Sequence, residues 1–398
     1  KTLQAKGLSF ISHTDTEVIL KAYITWGEEC LDKFNGMWAF TIYDKLTGEL
    51  FIARDRYGVK PFYYHVNETS FIFASEIRPI YEILNRQVSY NKQAIFDYLV
   101  FNRTDQSTST FYSKIFRLDH GTCVKISNGR VSFRKWYDLK NRVENSRRFI
   151  DPEEYLELFK SSISLRLRSD VPIGVCLSGG LDSSSIVSTI LSDNKNTNLK
   201  TFSAVYEAGQ YGDETEFINL FRSYSCDMHT ITPTAKTLFD EMQDFIYAIG
   251  EPVPSTSPYA QYKVMQLASK NVTVTLDGQG ADESLGGYHY FYGFFFKELL
   301  LNKKFKLLFE EMKSYLAVHK SFFGIGSLVF FLMSERIKTR TRLNERGYLS
   351  NDFIVNYSNS NEVTGKLYAS RTVKDALIDH FENKLEHLLK WEDRNSMH

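Results

Sequence analysis

Two short glycine-bearing loops hold the residues best suited to chemistry. The first is Ser178-Gly179-Gly180-Leu181-Asp182-Ser183-Ser184, directly after the apolar run Ile173-Gly174-Val175-Cys176-Leu177. A buried strand that ends in glycines and turns into a helix presents free backbone N–H groups and the positive end of the helix dipole, which is an anion site. Ser178, Ser183 and Ser184 add hydroxyl donors. The loop has no lysine and matches neither the GxxxxGK loop followed by Ser or Thr nor the GxGxxG dinucleotide fingerprint. It carries a carboxylate instead, Asp182, which would repel phosphate unless a cation stood between them. Mg²⁺, held by one or two carboxylates and by phosphate oxygens, answers that requirement. The second loop, Asp277-Gly278-Gln279-Gly280-Ala281-Asp282-Glu283, follows another apolar run, Val272–Leu276, and supplies a second carboxylate in Asp282. Either aspartate alone also reads as a helix N-cap after a turn. Together, at two strand ends, they describe a metal-bridged phosphate site at the carboxyl edge of an α/β sheet.

The elements that must position these loops follow from periodicity. From Asp151 onward, short apolar strands (173–177, 201–205, 272–276) alternate with helical stretches at 152–167, 182–191, 213–224, 234–249 and 258–269. That alternation predicts a parallel sheet covered on both faces. After 288 the chain reads as all helical, and the Tyr- and Phe-rich segment 288–296 reads as core. The greasiest stretch, Phe322–Met333, is shorter than the ~20 apolar residues that span a bilayer and is expected to be a buried helix. The N-terminal part is β-rich. A helix is expected over Asp15–Trp26 and strands at 37–43, 50–53, 62–64 and 71–74. A short helix follows at 93–100, and a hairpin turns at Asn128-Gly129. The charged segment 141–148 is expected to be a linker.

Composition narrows the class. The chain has 398 residues with equal numbers of basic and acidic side chains, 48 each. It therefore lacks the basic excess of a nucleic-acid surface. Its four cysteines, Cys30, Cys123, Cys176 and Cys226, form no CxxC pair and read as scattered thiols of a reducing compartment. No apolar signal core opens the sequence, so a cytoplasmic location without membrane contact is expected.

SGGLDSS resembles the pyrophosphate loop of the N-type ATP pyrophosphatases. With DGQGADE and Gly286-Gly287-Tyr288 after it, the region resembles the synthetase domain of glutamine-hydrolysing asparagine synthetases. The N-terminal part resembles the class II glutamine amidotransferase domain of the same family. The matching segments are Ser12-His13-Thr14-Asp15-Thr16-Glu17-Val18, Phe34–Phe40, Ala53-Arg54-Asp55-Arg56-Tyr57-Gly58-Val59-Lys60-Pro61-Phe62-Tyr63-Tyr64 and Ser75-Glu76-Ile77. The resemblance implies an α/β protein of two parts. One is a partial Ntn-type α+β glutaminase domain over 1–140. The other is a parallel-sheet ATP pyrophosphatase (adenine nucleotide α-hydrolase-like) domain over 150–398 with a helical C-terminal part. It implies ATP and Mg²⁺ as cofactors, and glutamine plus aspartate or another carboxylic acid as substrates. A homodimer is a further expectation. By position, Leu177, Ser178, Gly179, Gly180, Asp182, Ser183, Ala204, Asp277 and Gly278 fall where the family holds ATP. Asp182 and Asp282 fall on its Mg²⁺ ligands, and Asp15 falls where it binds the glutamine amino group.

Departures from the pattern carry information. The family's nucleophilic cysteine, at the mature N-terminus, and the Arg-Leu and Asn-Gly-Glu segments that follow it have no counterpart, and Cys30 reads as a packing thiol. The chain is therefore expected to lack glutaminase activity and to be a fragment at both ends. Gln279 stands where asparagine synthetases carry a catalytic Glu; glutamine has no charge and cannot act as a base. That opens three alternatives: aspartate as substrate, another acid such as a surface-polysaccharide uronic acid, or amide synthesis without glutamine. A non-enzymatic remnant of the fold is the remaining reading, against which the intact glycines and Asp182 argue.

Overall fold

In a computed structural model, residues 1–193, 198–207, 210, 212–224, 226–358 and 363–398 are described. They form two compact units. The first comprises Lys1–Asn91 and Ser107–Glu144, the second Lys92–Gln106 and Asn145–His398.

The first unit is built on two antiparallel sheets. β1 (Ala39–Tyr43), β2 (Leu50–Arg54), β6 (Thr122–Ser127) and β7 (Arg130–Lys135) form one, in that order. β3 (Tyr63–Val66), β4 (Phe71–Ala74) and β5 (Phe116–Arg117) form the other, in the order β4-β3-β5. Side chains alternate across a strand, and β2 shows the consequence. Phe51 and Ala53 join a core with Ala22 of the helix Asp15–Trp26, Cys30 and Trp38, while Ile52 points into a second core with Phe62 and Tyr64. Cys30 is fully buried, and burial pushes its thiol up to about 11. The β6–β7 turn has positive φ at both Asn128 (51°) and Gly129 (73°), as a two-residue hairpin loop requires. The segment expected to be a linker is helical over Leu139–Asn145.

The ARDRYGVKPFYY segment serves as a structural bolt. Arg54 is buried and donates to the carbonyls of Lys60 and Gly58, at 2.8 and 2.6 Å. The Asp55 carboxylate accepts from the backbone N–H groups of Trp38, Tyr57, Val59 and Lys60, at 3.0 to 3.2 Å. Asp55→Ala would leave these buried and half-buried donors without their anion, at roughly 2–4 kcal/mol. We expect this unit to melt roughly 10 °C lower, followed by near-UV circular dichroism. An unchanged melt would remove the bolting role.

The second unit holds a four-stranded parallel sheet, ordered β10 (Cys226–Ile231), β9 (Leu199–Ala204), β8 (Ile173–Cys176), β11 (Val274–Leu276). Three of these strands correspond to the expected apolar runs; β10 was not expected. Val175 and Leu177 face a core with Val187, Ile190 and Ile218, whereas Cys176 and Phe202 face Val264 and Ala268 on the other side. Both sheet faces are thus covered. Two expected helices are divided. The stretch 213–224 is a short helix, Thr215–Asn219, with a 3₁₀ turn, Leu220–Ser223. The stretch 234–249 is Ala235–Asp240 followed by Met242–Ile249.

Helices make up the rest. The helix Lys92–Phe101 packs Phe96 and Val100 against Phe291 and Phe294, so the aromatic segment is core. The greasy stretch forms the helix Phe323–Leu332, but only one face is covered. Leu328 and Phe331 are buried, while Phe323, Val329 and Leu332 are exposed. Its covered face meets Gly293, where an added Cβ would lie 2.6 Å from the Ser327 Cβ. No helix among the described residues is long and apolar enough to cross a membrane.

Candidate active site

Sheet order locates the site. From β8 the chain moves outward to β9 and β10, then returns to the other side of β8 as β11. The order therefore reverses between β8 and β11, and open α/β sheets bind ligands beyond the carboxyl ends of the strands at such a point. Both glycine-bearing loops emerge there.

The first loop is braced by its own hydroxyls. Ser183 is buried; its Oγ accepts from Ser178 N–H at 3.1 Å and donates to the Gly180 carbonyl at 3.2 Å. Ser178 Oγ lies 3.0 Å from Ser183 Oγ and accepts from Gly180 N–H at 3.2 Å. The serine hydroxyls expected as ligand donors thus shape the loop from within. Leu177 is wholly buried, and its carbonyl accepts from Ser203 Oγ at 2.6 Å. Gly179 has φ +95°, and the helix Leu181–Asp193 starts directly after Gly180. Ala204 ends the neighbouring strand β9.

The second loop closes onto the first. A Cβ at Gly278 would sit 3.1 Å from both Asp182 Cβ and Ser183 N. The loop turns through Gly280 (φ +99°) into the helix Ala281–Leu285, which carries Asp282 and Glu283. Gly287 lies under the Asp282 carboxylate, where any Cβ would overlap Oδ1. Gln279 is exposed.

The electrostatics are those of an anionic cluster. Burial, then the charges of Asp282 and Glu283, hold the Asp182 carboxyl above its usual range. Burial and Glu283 do the same for Asp282, opposed by Lys384. Two converging carboxylates that resist ionisation are a donor set suited to a hard divalent cation.

Several participants escaped the sequence reading. The Glu214 carboxylate approaches Gly180, its Oε2 3.7 Å from where a Cβ there would stand, and the Glu214 backbone packs on Gly179. Glu283 is almost wholly buried, accepts from Tyr288 OH at 2.6 Å and pairs with Lys384 at 3.5 Å. Lys384 Nζ also lies 3.2 Å from the centre of the Tyr288 ring, and burial pulls its pKa down to about 8. Glu214 and Lys384 stand far from the loops in sequence and match no motif; Glu283, beside Asp282, was the one within reach. Asp15 lies in the other unit, exposed on the first turn of the helix Asp15–Trp26.

Leu177, Ser178, Gly179, Gly180, Asp182, Ser183, Ala204, Asp277, Gly278, Gln279 and Asp282 all belong to one unit, in or beside the loops at the ends of β8, β9 and β11. The glutamine amidotransferase domain family matches residues 1–137 and the asparagine synthase family matches residues 154–398. A Methanocaldococcus jannaschii protein named putative asparagine synthetase (glutamine-hydrolyzing) 2 is 35% identical, over 82% of this chain and 63% of its own length. Asparagine synthetase (glutamine-hydrolyzing) 1 of Bacillus subtilis is 29% identical, over 79% of this chain and 48% of its own. The chain thus spans between about half and two thirds of these relatives. With its pyrophosphate-type loop and DGQGADE loop joined at the switch point of a parallel sheet, the chain belongs to the glutamine-hydrolysing asparagine synthetase family.

Proposed function

We propose that the whole protein makes an amide from a carboxylic acid and ATP, with ammonia drawn from glutamine. The observation that carries this reading is the contact of Gly278 with Asp182, which sets the two carboxylate-bearing loops side by side at the sheet's switch point. An acid carboxylate attacks the α-phosphorus of ATP; the α–β bridging bond breaks, giving an acyl-adenylate and pyrophosphate. Ammonia then attacks the acyl carbon, and AMP leaves with the bonding pair while the nitrogen gives up a proton. Asp182 and Asp282 would hold Mg²⁺, which supplies positive charge to the phosphates. The first loop's backbone and helix end face the pyrophosphate, and Leu177, Ala204, Asp277 and Gly278 border the nucleoside. Asp15 binds the glutamine amino group in the other unit.

Aspartate is the acid suggested by the names of the relatives. A different acid is favoured by Gln279, a neutral, exposed side chain on the loop beside Asp182. Acid-dependent exchange of labelled pyrophosphate into ATP separates the two. We expect exchange to need Mg²⁺ and to be supported by one class in a panel of aspartate, other amino acids and uronic acids. Exchange with aspartate alone would dismiss the reading from Gln279, and no exchange with any carboxylic acid would dismiss adenylation.

A further inference from the structure

We propose that Gly287 is a positioning residue for the metal site: having no side chain, it leaves the space in which the Asp282 carboxylate folds back over the backbone and stands free for a cation. The inference rests on the ATP-site reading above and adds to it a residue outside both loops.

Backbone geometry does not call for glycine at this position. Gly286 ends the helix Ala281–Leu285 at φ +76°, in the left-handed region, whereas the φ of Gly287 lies outside that region and is open to L-residues. The space that Gly287 leaves is nevertheless filled. An added Cβ would overlap Asp282 Oδ1 and would lie 2.8 Å from Asp282 Cγ and 3.3 Å from Asp282 Cα. The carboxylate thus lies where the first atom of any other side chain would be. No hydrogen bond or ion pair among the described residues holds that carboxylate. Its direction is therefore set by shape, and its oxygens keep their lone pairs for a ligand.

The backbone on either side is tied and cannot draw apart to admit a side chain. The Asp282 carbonyl accepts from the N–H groups of Gly286 and Gly287, both at 3.0 Å. One residue further on, Tyr288 OH donates to Glu283 Oε1 at 2.6 Å. Lys384 Nζ approaches the same oxygen at 3.5 Å and donates to Tyr290 OH at 3.1 Å. These bonds join 282–283 to 287–288 across the turn. A methyl at 287 is therefore relieved most cheaply by rotating Asp282 about χ1 into another staggered well. The backbone stays in place and the metal ligand leaves. Metal ligands that lose the groups orienting them typically lose about 10–100-fold in affinity.

The test is calorimetric titration of MgATP into the whole protein as wild type, Gly287→Ala, Asp282→Ala and the double variant, with melting temperatures in parallel. We expect Gly287→Ala to bind MgATP about 10–100-fold more weakly than wild type. In the Asp282→Ala background the same methyl enters emptied space, and should change neither affinity nor melting temperature. Gly286→Ala is the contrast. Its strain lies in the backbone, and its Cβ would meet Leu377 and Phe291, not Asp282, so its cost should be the same in both backgrounds. Wild-type affinity in Gly287→Ala would overturn the positioning role, as would an equal loss with and without the Asp282 carboxylate. If Gly287→Ala fails to fold, the double variant decides. Folding restored by removing the carboxylate supports the contact, and a second failure overturns it. Absence of MgATP binding in every form, wild type included, would instead overturn the nucleotide site, and the melting temperatures would still show whether methyl and carboxylate compete for one space.

Discussion

Asp182→Asn will abolish MgATP-dependent pyrophosphate release, by roughly a thousandfold or more, while slightly raising the melting temperature of the free protein. The loss follows from removing one of two carboxylates that bring positive charge to the phosphates, an effect worth several kcal/mol in the transition state. The gain follows from the local field. Burial raises the Asp182 carboxyl, and the charges of Asp282 and Glu283 raise it further. A carboxyl whose folded pKa lies above its unfolded value destabilises the fold once ionised; the penalty is absent below the unfolded pKa and complete above the folded one. The stabilisation by asparagine should therefore be present at neutral pH and vanish as pH falls through the carboxylate range, where wild-type Asp182 is itself neutral. Opposite signs for activity and stability distinguish a functional carboxylate from a structural one. Retained pyrophosphate release would remove Asp182 from the metal site; a lowered melting temperature at neutral pH would contradict the repulsion.

The parts of this arrangement that were legible in the sequence share a physical cause. Strands covered on both faces read as short runs rich in apolar residues, which is why β8 and β9 stand out, and β11 shows the same pattern at the sheet's edge. The helix Asp15–Trp26 was legible end to end because its apolar residues recur at helical spacing up to a glycine, Gly27, whose φ of +57° ends it. β10 was not legible: Cys226-Asp227-Met228-His229-Thr230-Ile231 mixes polar and charged residues with apolar ones and shows no apolar run. Motif loops announce the residues they contain, and so Asp182 and Asp282 stand out in the sequence. The side chains that hold those loops do not. Lys384 against Glu283 and Glu214 against Gly179 are pairings between distant segments, and no periodicity within one segment encodes them. The serine hydroxyls also have a bracing role that their chemistry alone did not announce: in the fold Ser178 and Ser183 bond within the loop.

Gly179→Ala will weaken MgATP binding by about a hundredfold or more, through the backbone alone. Gly179 has φ +95°, which an L-residue adopts only with strain. An added methyl would also meet the Glu214 carbonyl oxygen at 2.7 Å, Glu214 Cβ at 2.8 Å and Ile218 Cγ1 at 3.2 Å. The first of these is backbone, so no rotamer change relieves it. Strain and overpacking together amount to roughly 2–5 kcal/mol. Only two relaxations are open: the loop flattens and turns its N–H groups away from the phosphates, or Glu214 and the helix Thr215–Asn219 move outward. Both disturb the anion site. Gly180→Ala should be milder, because its Cβ would meet Ser178 Oγ at 3.3 Å, the end of a side chain that can rotate. Gly326→Ala controls for the loss of glycine as such. It lies in the helix Phe323–Leu332 with nothing within 4 Å of an added Cβ, and should gain up to about 1 kcal/mol of helix propensity with unchanged nucleotide binding. The ordering Gly179 far more sensitive than Gly180, with Gly326 indifferent, can be read from binding isotherms at one pH. Equal affinity in the Gly179 and Gly180 variants would mean that the left-handed turn at Gly179 is not what shapes the loop for phosphate.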